Sequence, residues 1–127
     1  MNFVTDHIHL KAKDAVLTSQ WYIRHFGATI TEQVDWPNML TIRLDLGGTR
    51  INVSEHKDDN PKTGTSEIQL GLEHFGIKTD NLNAIWSSLQ QTKECILSPI
   101  RTLPNQTRIF FVEGPDNVRI ELLEYFD

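Results

Sequence analysis

The chain has 127 residues, with 12 Lys and Arg against 17 Asp and Glu and a formal net charge of −5 at pH 7. That balance lacks the basic face phosphate contacts need, which excludes nucleic acid as the main partner and a polybasic membrane-surface role. No apolar run approaches the ~20 residues of a spanning helix, residues 1–6 show no basic-then-apolar signal, and one cysteine, Cys95, allows no internal disulfide, so a cytoplasmic globular protein is expected.

Residues 5–10, Thr-Asp-His-Ile-His-Leu, alternate and predict a short strand. Asp14 follows as a helix N-cap, the helix runs to Phe26, and Gly27 is its stop signal. Residues 28–34 are a weak strand. Leu40, Ile42, Leu44 and Leu46 alternate with Thr41, Arg43 and Asp45, the pattern of a half-buried strand. Gly47-Gly48 turns the chain, and residues 49–55 return with Ile51 and Val53 on one face. Residues 56–67 are polar, hold Pro and Gly, and predict a linker.

The second half repeats this order. Residues 71–77 form a strand holding His74, and Asp80 is placed to cap a helix whose apolar face is Leu82, Ile85, Trp86 and Leu89. Residues 94–101 are a weak strand and 108–113 a dense apolar one. Residues 114–117, Gly-Pro-Asp-Asn, turn into a last strand at 118–124. His7 and His74 lie 67 residues apart, and the helix caps and turns keep nearly the same offset. The expected organisation is one domain, 1–127, built of two βαβββ modules, 1–55 and 68–127. The fold class is α+β, with mixed curved sheets around a cavity and helices outside.

Period 2 assigns faces. His7 and His9 share the face away from the helix, as does His74 in the second half, and Glu121 sits in the apolar run Ile120-Glu121-Leu122-Leu123. Two neutral imidazoles and a carboxylate suffice to hold one divalent ion such as Fe, Mn, Zn, Ni or Co, with positions left for substrate oxygens. Spacing alone does not bring them together. Trp36, outside any clear period, is a candidate cavity or dimer-interface aromatic, or a cap on the core. Arg43, Arg50, Arg101 and Arg108 are candidate anion binders.

The whole chain resembles the vicinal oxygen chelate superfamily, which includes glyoxalase I, bleomycin-resistance proteins, fosfomycin-resistance transferases and extradiol dioxygenases. The resemblance lies in residues 6–14, Trp21-Tyr22 with Phe26-Gly27, His74-Phe75-Gly76-Ile77, and residues 114–122, whose ending is similar to D-P-D-G-x-x-I-E-L. It implies paired βαβββ modules, a metal ion on His7, His74 and Glu121, and a homodimer acting on a small-molecule substrate. The fourth ligand position of glyoxalase I falls on Asn52. An amide can coordinate weakly but cannot abstract a proton, so His9 becomes the leading proton-handling residue, with Asn52 and Trp36 as substrate contacts. Two readings follow: a metal-dependent lyase, isomerase, group transferase or dioxygenase, or a metal-free protein that sequesters a small molecule.

Overall fold

The computed structural model describes residues 1–57 and 60–126; Asp58 and Asp59 of the expected linker, and Asp127, lie outside them. The chain forms two compact units, Met1–Lys62 and Thr63–Asp127. Each pairs one sheet with one helix, giving an α+β fold of two mixed, unclosed sheets.

In the first unit β1 (Ile8–Lys11) leads to α1 (Ala15–Phe26), then β2 (Thr29–Trp36), β3 (Met39–Leu46) and β4 (Thr49–His56). The sheet order is β1-β4-β3-β2, with β1 parallel to β4 and the other pairs antiparallel. Asp14 caps α1 by accepting from the Leu17 amide, and Gly27 closes it in the left-handed region at φ 73°, which a residue without Cβ adopts freely. The face of the sheet toward α1 carries Ile42, Leu44, Ile51 and Val53, all at most 2% exposed; α1 packs on β3 and β4, and its Ala15 and Tyr22 are fully buried. Burial of this apolar face drives the alternation read in the sequence.

The second unit runs β5 (Phe75–Lys78), α2 (Leu82–Gln91), β6 (Cys95–Ile96), β7 (Arg101–Thr102), β8 (Arg108–Gly114) and β9 (Val118–Glu124). Its sheet order is β5-β9-β8-β6, again with the first pair parallel, and β7 also pairs with β8. Phe110, Val112, Ile120, Leu122, Leu82 and Leu89 form its buried core. The turn before β9 places both Asp116 and Asn117 at positive φ, a conformation short polar side chains tolerate.

Three expectations need correction. Both opening strands start later than read: the ladders begin at Ile8 against Ile51 and at Phe75 against Ile120, so His7 and His74 sit one residue ahead of them. Asn81, not Asp80, caps α2, because Thr79 Oγ1 accepts from the Asn81 amide and leaves the Asn81 side chain to accept from Ala84. The strand expected over 94–101 is two short pieces. Pro99 has no N–H to give a ladder, and Ser98 Oγ takes the Phe111 amide instead.

Both last strands also reach back to their helix. Glu55 Oε1 accepts from the Ala15 amide at 3.2 Å, and Glu124 Oε1 from the Leu82 amide at 2.6 Å. Each carboxylate satisfies an amide that a helix start leaves unpaired. No helix among the described residues is long and apolar enough to cross a membrane.

Candidate functional site

In the second unit, β9 presents Arg119, Glu121 and Leu123 away from α2, between the buried Ile120 and Leu122. Glu121 lies in register with Gly76 of β5 on one side and Phe111 of β8 on the other. Gly76 matters here: a Cβ would stand 3.2 Å from Leu123 Cδ2 and 3.5 Å from Glu121 Oε1, so glycine keeps space beside the carboxylate.

His74 lies beside the same carboxylate. Its Nδ1 is 3.0 Å from Glu73 Oε1 and its Nε2 is 3.7 Å from Glu121 Oε1, while its ring meets Phe111 edge-on at 5.1 Å. An ionised carboxylate only accepts, so Nδ1 carries the proton and, in the neutral ring, Nε2 carries the lone pair. In that neutral tautomer Nε2 and Glu121 Oε1 would both be acceptors. Two neighbouring acceptors suit a cation. Two donors bound to one ion at about 2.1 Å each lie roughly 3.0–3.6 Å apart for ordinary coordination angles, close to the spacing seen. The two side chains are partly accessible, 31% for His74 and 21% for Glu121. Arg119 backs the arrangement: its Nε is 3.4 Å from Glu73 Oε1, its Nη1 donates to Ser66 O at 2.9 Å, and its guanidinium lies 4.1 Å from the Phe111 ring centre.

The first unit repeats the frame with different chemistry. His7 Nδ1 donates to Asp6 Oδ2 at 2.7 Å, and Arg50 Nη1 is 3.7 Å from the same oxygen. The hydrogen bond from His7 and then the Arg50 charge hold the Asp6 carboxyl below the ordinary carboxylate range. Where the second unit has Gly76 opposite Glu121, the first has His9 opposite Asn52. His9 Nε2 meets the hydroxyl of the fully buried Ser54 at 2.7 Å. Burial, and then the electrostatic influence of His7, Lys11 and His56, lowers the His9 pKa, so the neutral ring is favoured at pH 7. Asn52 is 8% exposed, and its Oδ1 is buried with no hydrogen-bond partner. An orphaned buried acceptor is costly unless a ligand or water donates to it.

The structure thus brings His74 and Glu121 together in the second unit, and His7, His9 and Asn52 onto one face in the first, with the His7 and His9 ring centres 6.2 Å apart. Among the described residues no three His, Cys, Asp or Glu side chains gather as a ready-made ion cage. Trp36 is at the end of β2, half exposed, against Met39 of β3. Glu55 is turned to the helix side, as its odd spacing from Asn52 requires. Of the candidate anion binders, Arg43 pairs with Glu32 at 2.6 Å and Arg108 with Asn83 at 2.9 Å. Asp6, Glu73, Ser54 and Arg119 were not singled out from sequence. The signal that finds Asp6, Glu73 and Arg119 is an acid directly before each repeated histidine and an Arg two residues before Asn52 and Glu121; no such signal marks Ser54.

A family model for the Glyoxalase/Bleomycin resistance protein/Dioxygenase superfamily matches residues 5–122. No curated protein sequence matches the chain. Among solved structures it is similar to a glyoxylase/bleomycin resistance protein/dioxygenase domain from Frankia sp. EAN1pec, with a TM-score of 0.83 and 18% identity over 100% of this chain and 95% of that one. The fosfomycin resistance protein FosX from Listeria monocytogenes gives a TM-score of 0.78 and 16% identity, over 99% and 96% of the two chains. A mutant glyoxalase I from Zea mays gives 0.79 and 19%, over 96% of this chain and 44% of that one. At these identities the structural likeness is one of fold; the family rests on the sequence model, and by that match the chain belongs to the Glyoxalase/Bleomycin resistance protein/Dioxygenase superfamily.

Proposed function

We propose that the protein is a metal-dependent enzyme acting on a small molecule, with His7, His74 and Glu121 holding one divalent ion. The observation that supports this most is His74 Nε2 at 3.7 Å from Glu121 Oε1, with Nδ1 3.0 Å from Glu73 Oε1. The donor set, two imidazoles and one carboxylate, suits Fe, Mn, Zn, Ni or Co. Such an ion, when bound, polarises a substrate oxygen and stabilises negative charge that develops on it.

The remaining residues handle the substrate. His9, neutral at pH 7 and anchored through Nε2 to Ser54, is the proton-handling group. The unpaired Asn52 Oδ1 is an acceptor for a substrate hydroxyl or amide, and Trp36 supplies an exposed aromatic surface on β2. An amide at position 52 cannot take a proton, so proton abstraction at that position, as in glyoxalase I, is not part of this reading. The chemistry falls among lyase or isomerase, group-transfer and dioxygenase reactions.

We place the protein in the cytoplasm as a homodimer. Ile68, Leu70 and Leu72, ahead of β5, are 78%, 100% and 83% exposed, apolar surface of the kind a second copy covers. Metal content of protein purified without chelator tests the function. Wild type is expected to carry close to one ion per chain and His74→Ala almost none. Near-zero metal in both would support the sequestering reading instead.

A further inference from the structure

We propose that Asp6 with Arg50, and Glu73 with Arg119, are two copies of one positioning device. Each fixes its histidine, His7 or His74, in the Nδ1–H tautomer, so that Nε2 is presented as the donor atom. This rests on the reading of His7 and His74 as ligands and adds the residues that aim them.

The copies correspond position by position. The acid precedes the histidine in both, Asp6-His7 and Glu73-His74, and the pairs lie 67 residues apart. Arg50 and Arg119 stand one residue ahead of the first rung of the parallel ladder, since β4 pairs from Ile51 and β9 from Ile120. The cross-strand acids repeat too: Asp45 pairs in register with Arg50, and Glu113 with Arg119. Nδ1 to carboxylate distances are 2.7 Å and 3.0 Å, and carboxylate to arginine distances are 3.7 Å and 3.4 Å.

The chemistry follows from donor counting. A carboxylate has no proton to give, so the ring nitrogen beside it must be the N–H. A neutral imidazole has one proton, and Nε2 is left as an acceptor. Free imidazole side chains favour the opposite tautomer, so the carboxylate works against the intrinsic preference. The arginine sets a positive charge beside that carboxylate, 3.7 Å from Asp6 and 3.4 Å from Glu73. Side-chain exposure separates the two copies. Glu73 and Arg119 are 29% and 15% exposed, whereas Asp6 and Arg50 are 71% and 50% exposed. Water competes with the outer pair, so the Glu73 copy has the larger effect.

Long-range 1H–15N correlation spectra of the metal-free full-length protein, recorded at mildly alkaline pH, read the tautomer of each ring directly. Wild type is expected to show Nδ1–H at both His7 and His74. Glu73→Ala should return His74 to Nε2–H and leave His7 unchanged; Asp6→Ala should do the reverse. Glu73→Asp copies the Asp6–His7 pair and should keep the Nδ1–H signature. Amide spectra of each variant confirm that the fold is intact. Zn2+ titration should show Glu73→Ala weaker by about 10–100-fold and Asp6→Ala weakened less. Nε2–H in the wild type at either ring, or no tautomer change in either alanine variant, overturns the proposal. A wild type that shows both signatures but takes up no Zn2+ supports the positioning device and overturns the metal reading.

Discussion

The two units share a frame and differ at its centre. In both, an acid–histidine pair precedes the parallel ladder, an arginine of the last strand approaches that acid, and a glutamate at the end of the strand caps the helix. At the second rung of the parallel ladder the first unit sets His9 and Arg43 on either side of Asn52, and the second sets Gly76 and Phe111 on either side of Glu121. One centre is a carboxylate with space cleared beside it. The other is a buried amide between two nitrogen-bearing side chains. The same frame is therefore built twice, and the two units diverge at one rung, a carboxylate in one and an amide in the other.

The comparison breaks most visibly at Glu121. Glu121→Gln should abolish metal uptake, beyond the roughly 10–100-fold loss that an outer carboxylate costs, while Asn52→Asp leaves uptake near wild type. Metal analysis of both variants after dialysis against buffer decides it. Gly76→Ala comes next. Its Cβ would press Leu123 and approach Glu121 Oε1, so Zn2+ affinity should fall about tenfold with a stability loss of about 1 kcal/mol. Calorimetric titration and urea unfolding separate the two effects.

The helix caps sharpen the shared part of the frame. Glu124→Ala and Glu55→Ala should each cost about 0.5–2 kcal/mol in urea unfolding, with Glu124 the larger because its bond is shorter, 2.6 Å against 3.2 Å. The smallest effect is a pH dependence confined to the first unit. The His9 pKa is lowered from 6.5, so below that value the unfolded chain binds a proton that the folded chain resists. Stability should therefore fall as pH drops below 6.5 through the lowered value, and His9 contributes no slope above it. His9→Gln should flatten that part of the urea-midpoint profile.

The fold was legible wherever one face of an element is buried. Alternation in β3 and around Ile120 and Leu122 fixes their register, because a one-residue slip would expose the whole apolar set. The Asp14 cap and the Gly27 stop were legible because few residue types suit those positions. Helix α2 was not capped where expected because Asp80 and Asn81 are adjacent and equally able; the Thr79 side chain decides between them. The weak strand after α2 was half legible. Its composition fits a strand, but Pro99 removes a ladder donor.

The candidate site was legible as residue types on a face, and the structure adds their partners. Glu121 stood out as a charge in an apolar run. Asp6 and Glu73 did not, because adjacent side chains on a strand point to opposite faces; both reach their histidine only because the ladder has not yet begun there. Arg50 and Arg119 are more than forty residues from the acids they approach, a pairing that only the parallel register reveals. The orphaned Asn52 Oδ1 is likewise a property of packing, which no spacing encodes.

Calorimetric titration of the metal-free chain with Zn2+, across single alanine variants at positions 7, 74, 121, 9 and 52, is the most direct test of the central claim. One ion per chain is expected in wild type, with loss of binding on replacing His7, His74 or Glu121 and near wild-type affinity on replacing His9 or Asn52. Wild-type affinity in His74→Ala or Glu121→Ala would contradict that claim.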